Sequence, residues 1–170
     1  MRLLVALLLV VPAFGLTAAD PVDFAVGGFT FERPTGWRWV PPTSPMRKAQ
    51  LAVAGSGEDE AEVTFFCFGA GQGGGVKANI DRWFGQFENA GTSTREEVVG
   101  TTRVVFAEAA GTFLSGMPGG QATPKDGYAL RGAILPHKDG DVFVKMTGPA
   151  ATVAAADPAF AAMIRAAAGR

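Results

Sequence analysis

YALRGAILPHKDGDVFVKMT, residues 128–147, is the stretch whose reading decides the fold. Two extended runs, Tyr128 to Leu135 and Val142 to Thr147, flank Asp139-Gly140, the strongest short hairpin signal a sequence offers. Side chains alternate along a strand, and both faces of this hairpin carry apolar residues, so helices are expected to cover the sheet on both sides. C-terminal to the hairpin, the Ala-rich segment Ala150 to Ala168 supplies one such helix. Asp157-Pro158 reads there as an N-cap and first-turn proline that restarts the helix, with Val153, Phe160 and Ile164 facing inward.

Upstream, the glycine- and proline-bearing stretch Gly116 to Gly127 reads as a surface loop. Between Glu96 and Leu114, Val98-Val99, Val104 to Phe106 and Thr112 to Leu114 read as strands interrupted by glycines, and Asn89 to Thr94 as a polar connector. Val76, Ile80, Trp83, Phe84 and Phe87 fall at i, i+4, i+7, i+8 and i+11, an apolar stripe of helical spacing. This helix is expected to be the main contributor to the core, through Trp83 above all. Gln50 to Ala54 and Ala61 to Phe68 form a hairpin across the polar loop Gly55 to Asp59, and its second strand, apolar on both sides, is expected to be central. Near the start, Phe29-Thr30-Phe31, a turn at Pro34-Thr35-Gly36, and Trp37 to Val40 read as strand, turn, strand after a short lead-in. The order gives an α+β domain, an antiparallel β-sheet flanked by helices, rather than a repeating βαβ pattern.

The chain opens with Arg2, an apolar run from Leu3 to Val11, and Thr17-Ala18-Ala19 ahead of Asp20, the pattern of a secretory signal peptide over residues 1–19. The apolar run is too short to span a bilayer of ~30 Å. Residues 20–170 then form one domain, exported and soluble, periplasmic or secreted. It is large enough to bury roughly 68–70% of its unfolded surface without staples. No cysteine follows the signal to carry a lipid, and no later run predicts stable membrane insertion. With 15 basic and 16 acidic residues and no basic block longer than Arg47-Lys48, there is no footprint for nucleic acid. The oligomeric state is not written in the sequence.

No catalytic constellation stands out. Cys67, the single cysteine, lies among Phe65, Phe66 and Phe68 and reads as an inert buried thiol. His137, the only histidine, sits in the hairpin turn and reads as solvated; a nucleophilic pair with Cys67 would need the two to meet and a third group to orient the imidazole, whereas Cys67 is expected to point into a core. One histidine and one cysteine cannot build a structural zinc site, and the acidic pairs lack EF-hand spacing, so neither metal nor cofactor is expected. Gly69-x-Gly71-x-x-Gly74 resembles a dinucleotide fingerprint but lacks the βαβ context, and reads as a tight strand-to-helix connection. The amides that open the following helix remain a potential anion site. Asn79, Arg82 and Gln86 line one edge of the apolar stripe, which places Arg82 to reach inward. The favoured reading makes it a tether for buried backbone groups, the alternative the anchor of an anion.

Phe29-Thr30-Phe31 with Pro34-x-Gly36-Trp37, Gly73-Gly74 with Asn79-x-x-Arg82-Trp83-x-x-Gln86-Phe87, and Phe143-Val144-Lys145-x-Thr147-Gly148-Pro149 resemble segments of small exported bacterial proteins without assigned function, whose plan is similar to the PsbP-like fold superfamily. That resemblance implies a twisted antiparallel sheet sandwiched by helices. It also implies roles of the kind the superfamily fills: extrinsic subunits of photosystem II, a Ran-binding nuclear protein, bacterial envelope proteins. The leading expectation is a non-catalytic exported domain that binds an envelope protein partner or assists envelope assembly. The alternative is a small-ligand or anion-binding protein using the Gly-rich loop and helix start, with Gly73, Gly74, Asn79, Arg82 and Gln86 as contacts. A hydrolase with an unrecognised site is a weaker third.

Overall fold

The structure, a computed structural model, describes residues 22–116 and 121–170, so the expected signal segment and its cleavage point lie outside the described residues. Strands β1 (Asp23–Val26) and β2 (Phe29–Glu32) pair as a small antiparallel sheet. The main sheet has seven strands in the spatial order β3 (Arg38–Trp39), β4 (Arg47–Ala54), β5 (Glu60–Cys67), β9 (Val142–Pro149), β8 (Thr123–Leu135), β7 (Thr102–Ser115) and β6 (Phe87–Val99). Helix α1 (Gly75–Phe84) joins β5 to β6, and α2 (Ala150–Ala168) follows β9. Every strand pair among the described residues is antiparallel, which excludes the βαβ unit a dinucleotide fingerprint requires. The fold is the expected α+β arrangement.

The Asp139-Gly140 hairpin forms as read, with Leu135 opposite Val142 and Ile134 opposite Phe143. Its second strand, β9, sits at the centre of the sheet, next to β5. Val142, Val144 and Met146 point to one face and join a core with Phe31, Phe65 and α2. Phe143 points to the other, into a smaller core with Trp83, Leu130 and Ile134. On the first face α2 buries Val153, Phe160 and Ile164 completely, as its periodicity predicts. The β1–β2 hairpin shares that face, with Phe24 set edge-on to Phe65 at 5.0 Å between ring centroids.

Several local expectations are corrected. The helix α2 runs unbroken through Asp157-Pro158, because residues on both sides of the proline, Val153 and Phe160 among them, are packed on the sheet, and packing outweighs one lost backbone hydrogen bond. Glu96 to Leu114 is not three short strands. It belongs to a long hairpin of β6 and β7 turning at Gly100 (φ +60°), and the polar residues from Asn89 to Thr94 are part of β6. The glycines read as breaks mark bulges instead, between Glu88 and Gly91 and between Gly111 and Phe113. The expected loop Gly116 to Gly127 contracts, since β8 starts at Thr123. Pro124 is tolerated there because β9 pairs with β8 only from Tyr128 onward, leaving one side of that segment open. The short lead-in is the strand β1.

Two single residues also differ. His137 is half-buried, edge-on to Phe29 at 5.6 Å, and a Cβ on Gly28 would meet its ring at 2.4 Å. Cys67 is half-buried rather than enclosed, its thiol 3.8 Å from the carbonyl oxygens of Phe68 and Gly140. The helix α1 is not the main core element either. Of its own apolar stripe only Trp83 is buried, Val76, Ile80 and Phe84 are half-buried, and Phe87 already belongs to β6. The larger core is organised by α2.

Candidate functional site

The connection through α1 must pass β9, β8 and β7 to bring the chain from β5 to β6. It crosses on the face opposite α2. Trp83 anchors it by lying on Gly132 of β8, where a Cβ would stand 2.3 Å from Cζ3 of the indole. The same face over β5 is not roofed by the helix, and a cleft of about 220 Å³ opens at the boundary. Phe66 of β5, Phe68 just past its end and Phe143 of β9 form its floor, Trp83 one wall, and Met46, 60% exposed, its mouth.

Three of the residues singled out in the sequence converge here: Asn79, Arg82 and Gln86 all line the cleft. Asn79, only 3% exposed, donates through Nδ2 to the carbonyl oxygens of Gly73 (2.6 Å) and Gly75 (2.8 Å). It thereby fixes a helix start whose N-cap, Gly74, has no side chain to do so. Arg82 does not reach inward to buried backbone acceptors. It is exposed, and its Nη1 donates to Oδ1 of Asn79 at 2.8 Å, so the tether is Asn79 and the guanidinium stands at the cleft. Gln86, just past the helix, accepts through Oε1 from Nζ of Lys145 at 3.1 Å.

Gly73 and Gly74 are placed beside the cleft and not in its lining. A Cβ on Gly73 would meet the Phe143 ring at 2.7 Å, so this glycine lets the loop backbone lie on the ring. Gly74 turns the chain into α1 with φ +81°. The helix residues in the lining are Asn79, Arg82 and Trp83, none of them from its first turn.

Lys145 is the residue that sequence reasoning missed. It shares a face of β9 with Phe143, and burial pushes its amine below the ordinary lysine range, with Glu62 raising it and Arg47 lowering it to smaller extents. Glu62 is itself held by Arg47 at 2.6 Å and Gln50 at 2.8 Å. No acidic residue lines the cleft, so its charge comes from Lys145 and Arg82. A signal existed: Lys145 is the lone charge in a mostly apolar central strand, quoted above for its resemblance and given no role. Other concavities differ in kind. The one between Pro34 and α2, about 280 Å³, is walled by alanines and Met163, and its charged groups are engaged: Arg33 donates to the Trp37 carbonyl and Glu32 pairs with Arg170.

Among the described residues no three His, Cys, Asp or Glu side chains converge to hold a metal ion, and no helix is long and apolar enough to cross a membrane. No protein-family model matches the sequence, and no curated protein matches it. Solved structures do. Cyanobacterial PsbP (CyanoP) from Synechocystis sp. PCC 6803 superposes with a TM-score of 0.55 at 9% identity, over 90% of this chain and 96% of that one. A protein of unknown function from Pseudomonas aeruginosa gives a TM-score of 0.49 at 13% identity, over 84% and 92% of the two chains. Together with the seven-stranded antiparallel sheet and its two helices, the superposition on CyanoP bears out at the level of fold the resemblance carried by Pro34-x-Gly36-Trp37 and the Asn79 to Phe87 segment: this chain has a PsbP-like fold.

Proposed function

We propose that this chain is a non-catalytic binding domain, exported as an accessory factor, that holds a small anionic ligand in the cleft beside α1. The observation that carries the reading is the presence of Lys145 and Arg82 in one cleft with an aromatic floor and no carboxylate among the residues of the lining. A cation pushed out of water, whose one acidic neighbour, Glu62, lies outside the lining and is already held by Arg47, is stabilised by an anion that enters beside it. The accessory role is drawn by analogy from the fold shared with CyanoP. Export rests on the pattern of residues 1–19, and N-terminal sequencing of the exported form is expected to read Asp20-Pro21-Val22.

The geometry favours the ligand alternative over the protein-partner reading that the sequence put first, because the convergent groups lie in a concave site. The test is a thermal-shift titration with phosphate, sulfate, acetate and benzoate at constant ionic strength, on the parent, Arg82→Met and Lys145→Met. Saturable stabilisation of the parent by one of these anions, lost in Lys145→Met and weakened in Arg82→Met, is the expected result. Flat titrations for every anion would end the ligand reading and return the domain to partner binding.

A further inference from the structure

We propose that the cleft selects an amphipathic monocarboxylate, an aromatic or short acyl carboxylate, with its charged end at Lys145 and Arg82 and its apolar body on Phe66, Phe68 and Phe143. This rests on the anion-binding reading above and narrows it.

Size, charge and wall chemistry each point the same way. At about 220 Å³ the cleft has the volume of roughly seven waters, enough for a ligand on the order of ten non-hydrogen atoms. It is smaller than the pockets of about 300–1,000 Å³ that take drug-sized molecules. Inorganic phosphate or acetate would leave most of the aromatic floor wet. The rings of Phe66 and Phe68 are nearly parallel, 12° apart with centroids at 6.5 Å, and Phe68 lies 6.2 Å from Phe143, so the floor is a continuous apolar surface for a flat or extended body.

The positive charge available is also modest. Arg82 is exposed and already donates to Asn79, while Lys145 donates to Gln86 and keeps two further N–H groups. Phosphate carries about −1.5 to −2 at neutral pH and is served by backbone amides at a helix N-terminus. The helix residues that line this cleft are instead Asn79, Arg82 and Trp83, none of them from the first turn of α1, so the cations it offers are side chains. Two side-chain cations, one exposed and shared with Asn79 and the other shared with Gln86, match a single negative charge better than a double one.

The experiment is a titration of the parent, by calorimetry and by chemical-shift perturbation of the aromatic protons, with 3-phenylpropanoate, benzoate, acetate, phosphate and the neutral analogue 3-phenylpropanol. Both aromatic carboxylates are expected to saturate, at least tenfold tighter than acetate, phosphate and the alcohol, with shifts at Phe66, Phe68 and Phe143. Lys145→Met is expected to lose at least tenfold in affinity for 3-phenylpropanoate. Phe68→Leu is expected to weaken 3-phenylpropanoate and leave the weak acetate binding unchanged. Phosphate binding tighter than either aromatic carboxylate, lost in Lys145→Met, would overturn this inference and leave the anion reading standing. Equal binding of the alcohol in the parent would overturn it without recourse to any variant. Saturation by none of the anions removes both.

Discussion

Placing a methyl group at Gly132 tests the contact that hangs α1 on the sheet and so makes one wall of the cleft. In the parent the indole of Trp83, 6% exposed, lies on the bare backbone of β8. A Cβ there would fall 2.3 Å from Cζ3 and 2.7 Å from Cε3, whereas carbon atoms pack at about 3.5–4.0 Å, so the ring must retreat by roughly 1 Å. Overpacking of this kind costs about 1–3 kcal/mol. Against it stands the reduced freedom of the unfolded chain, which favours alanine over glycine by ~0.4–1 kcal/mol where the backbone allows it. Gly132 has no left-handed φ, so it does allow it. The net expectation for Gly132→Ala is a loss of about 1–2 kcal/mol, or roughly 2–8 °C in Tm.

The same arithmetic gives a sign reversal when the ring is gone. Trp83→Ala alone removes a large buried aromatic and should cost about 3–5 kcal/mol. In that background the three atoms nearest the added methyl are gone, and Gly132→Ala should stabilise by ~0.4–1 kcal/mol. The coupling energy between the two positions is then about 1–3 kcal/mol. Urea unfolding of the four proteins measures it. Equal destabilisation by Gly132→Ala with and without Trp83 would refute the placement of the indole on β8, and with it the account of the cleft wall.

Asn79→Ala should cost about 1–3 kcal/mol, since it strips the carbonyls of Gly73 and Gly75 of their donor, while Arg82→Met at the exposed neighbour should change stability by about 0.5 kcal/mol or less. Urea midpoints in the opposite order would restore Arg82 as the tether. Lys145 gives a pH signature whose sign follows from its lowered pKa: between that value and the ordinary 10.5 the unfolded chain binds the extra proton, so the stability penalty of the buried amine shrinks as pH rises through this window. The stability gap between Lys145→Met and the parent should narrow, in favour of the parent, as pH is raised toward 10. A gap independent of pH would mean that Lys145, set between Gln86, Glu62 and Arg47 with Arg82 at the cleft, is not desolvated. Pro158→Ala should raise stability by about 1–3 kcal/mol, because an exposed proline inside an otherwise continuous helix withholds one backbone N–H. No rise in Tm would show the helix already relaxed around it.

The fold was legible where one local rule acts alone. Alternation and Asp139-Gly140 placed the central hairpin, and apolar spacing placed Val153, Phe160 and Ile164 in the core. It was misread wherever a strong local signal is overridden by a neighbour far away in sequence. Gly91 and Gly111 look like strand breakers, yet the ladder between β6 and β7 absorbs them as bulges. Pro158 looks like a restart, yet the core holds both halves of α2 in line. The stripe through Trp83 looks like the principal core face because periodicity reports which residues share a side, not how much structure waits to cover that side.

The site was legible in its helix and illegible in its floor, and strand order explains why. Asn79, Arg82 and Gln86 could be grouped from helical spacing, since that grouping needs only the 100° step along one element. Lys145, Phe66 and Phe68 could join them only once β9 was known to insert between β5 and β8, a pairing made by residues some eighty positions apart. The ten residues of α1 extend about 15 Å, whereas β5 and β6 stand four strand spacings of about 4.8 Å apart. The crossover is therefore used up in reaching β6 and has no length left to roof β5. The boundary of that roof falls beside Phe66, Phe68 and Lys145, which makes the cleft a consequence of where β9 is inserted rather than of any motif. Because the half-roofed face follows from a short crossover, other chains with this strand order and a helix of similar length should carry a cleft at the same boundary. What distinguishes this chain is the chemistry it places there: a lysine on the central strand and an arginine on the helix, facing an aromatic floor.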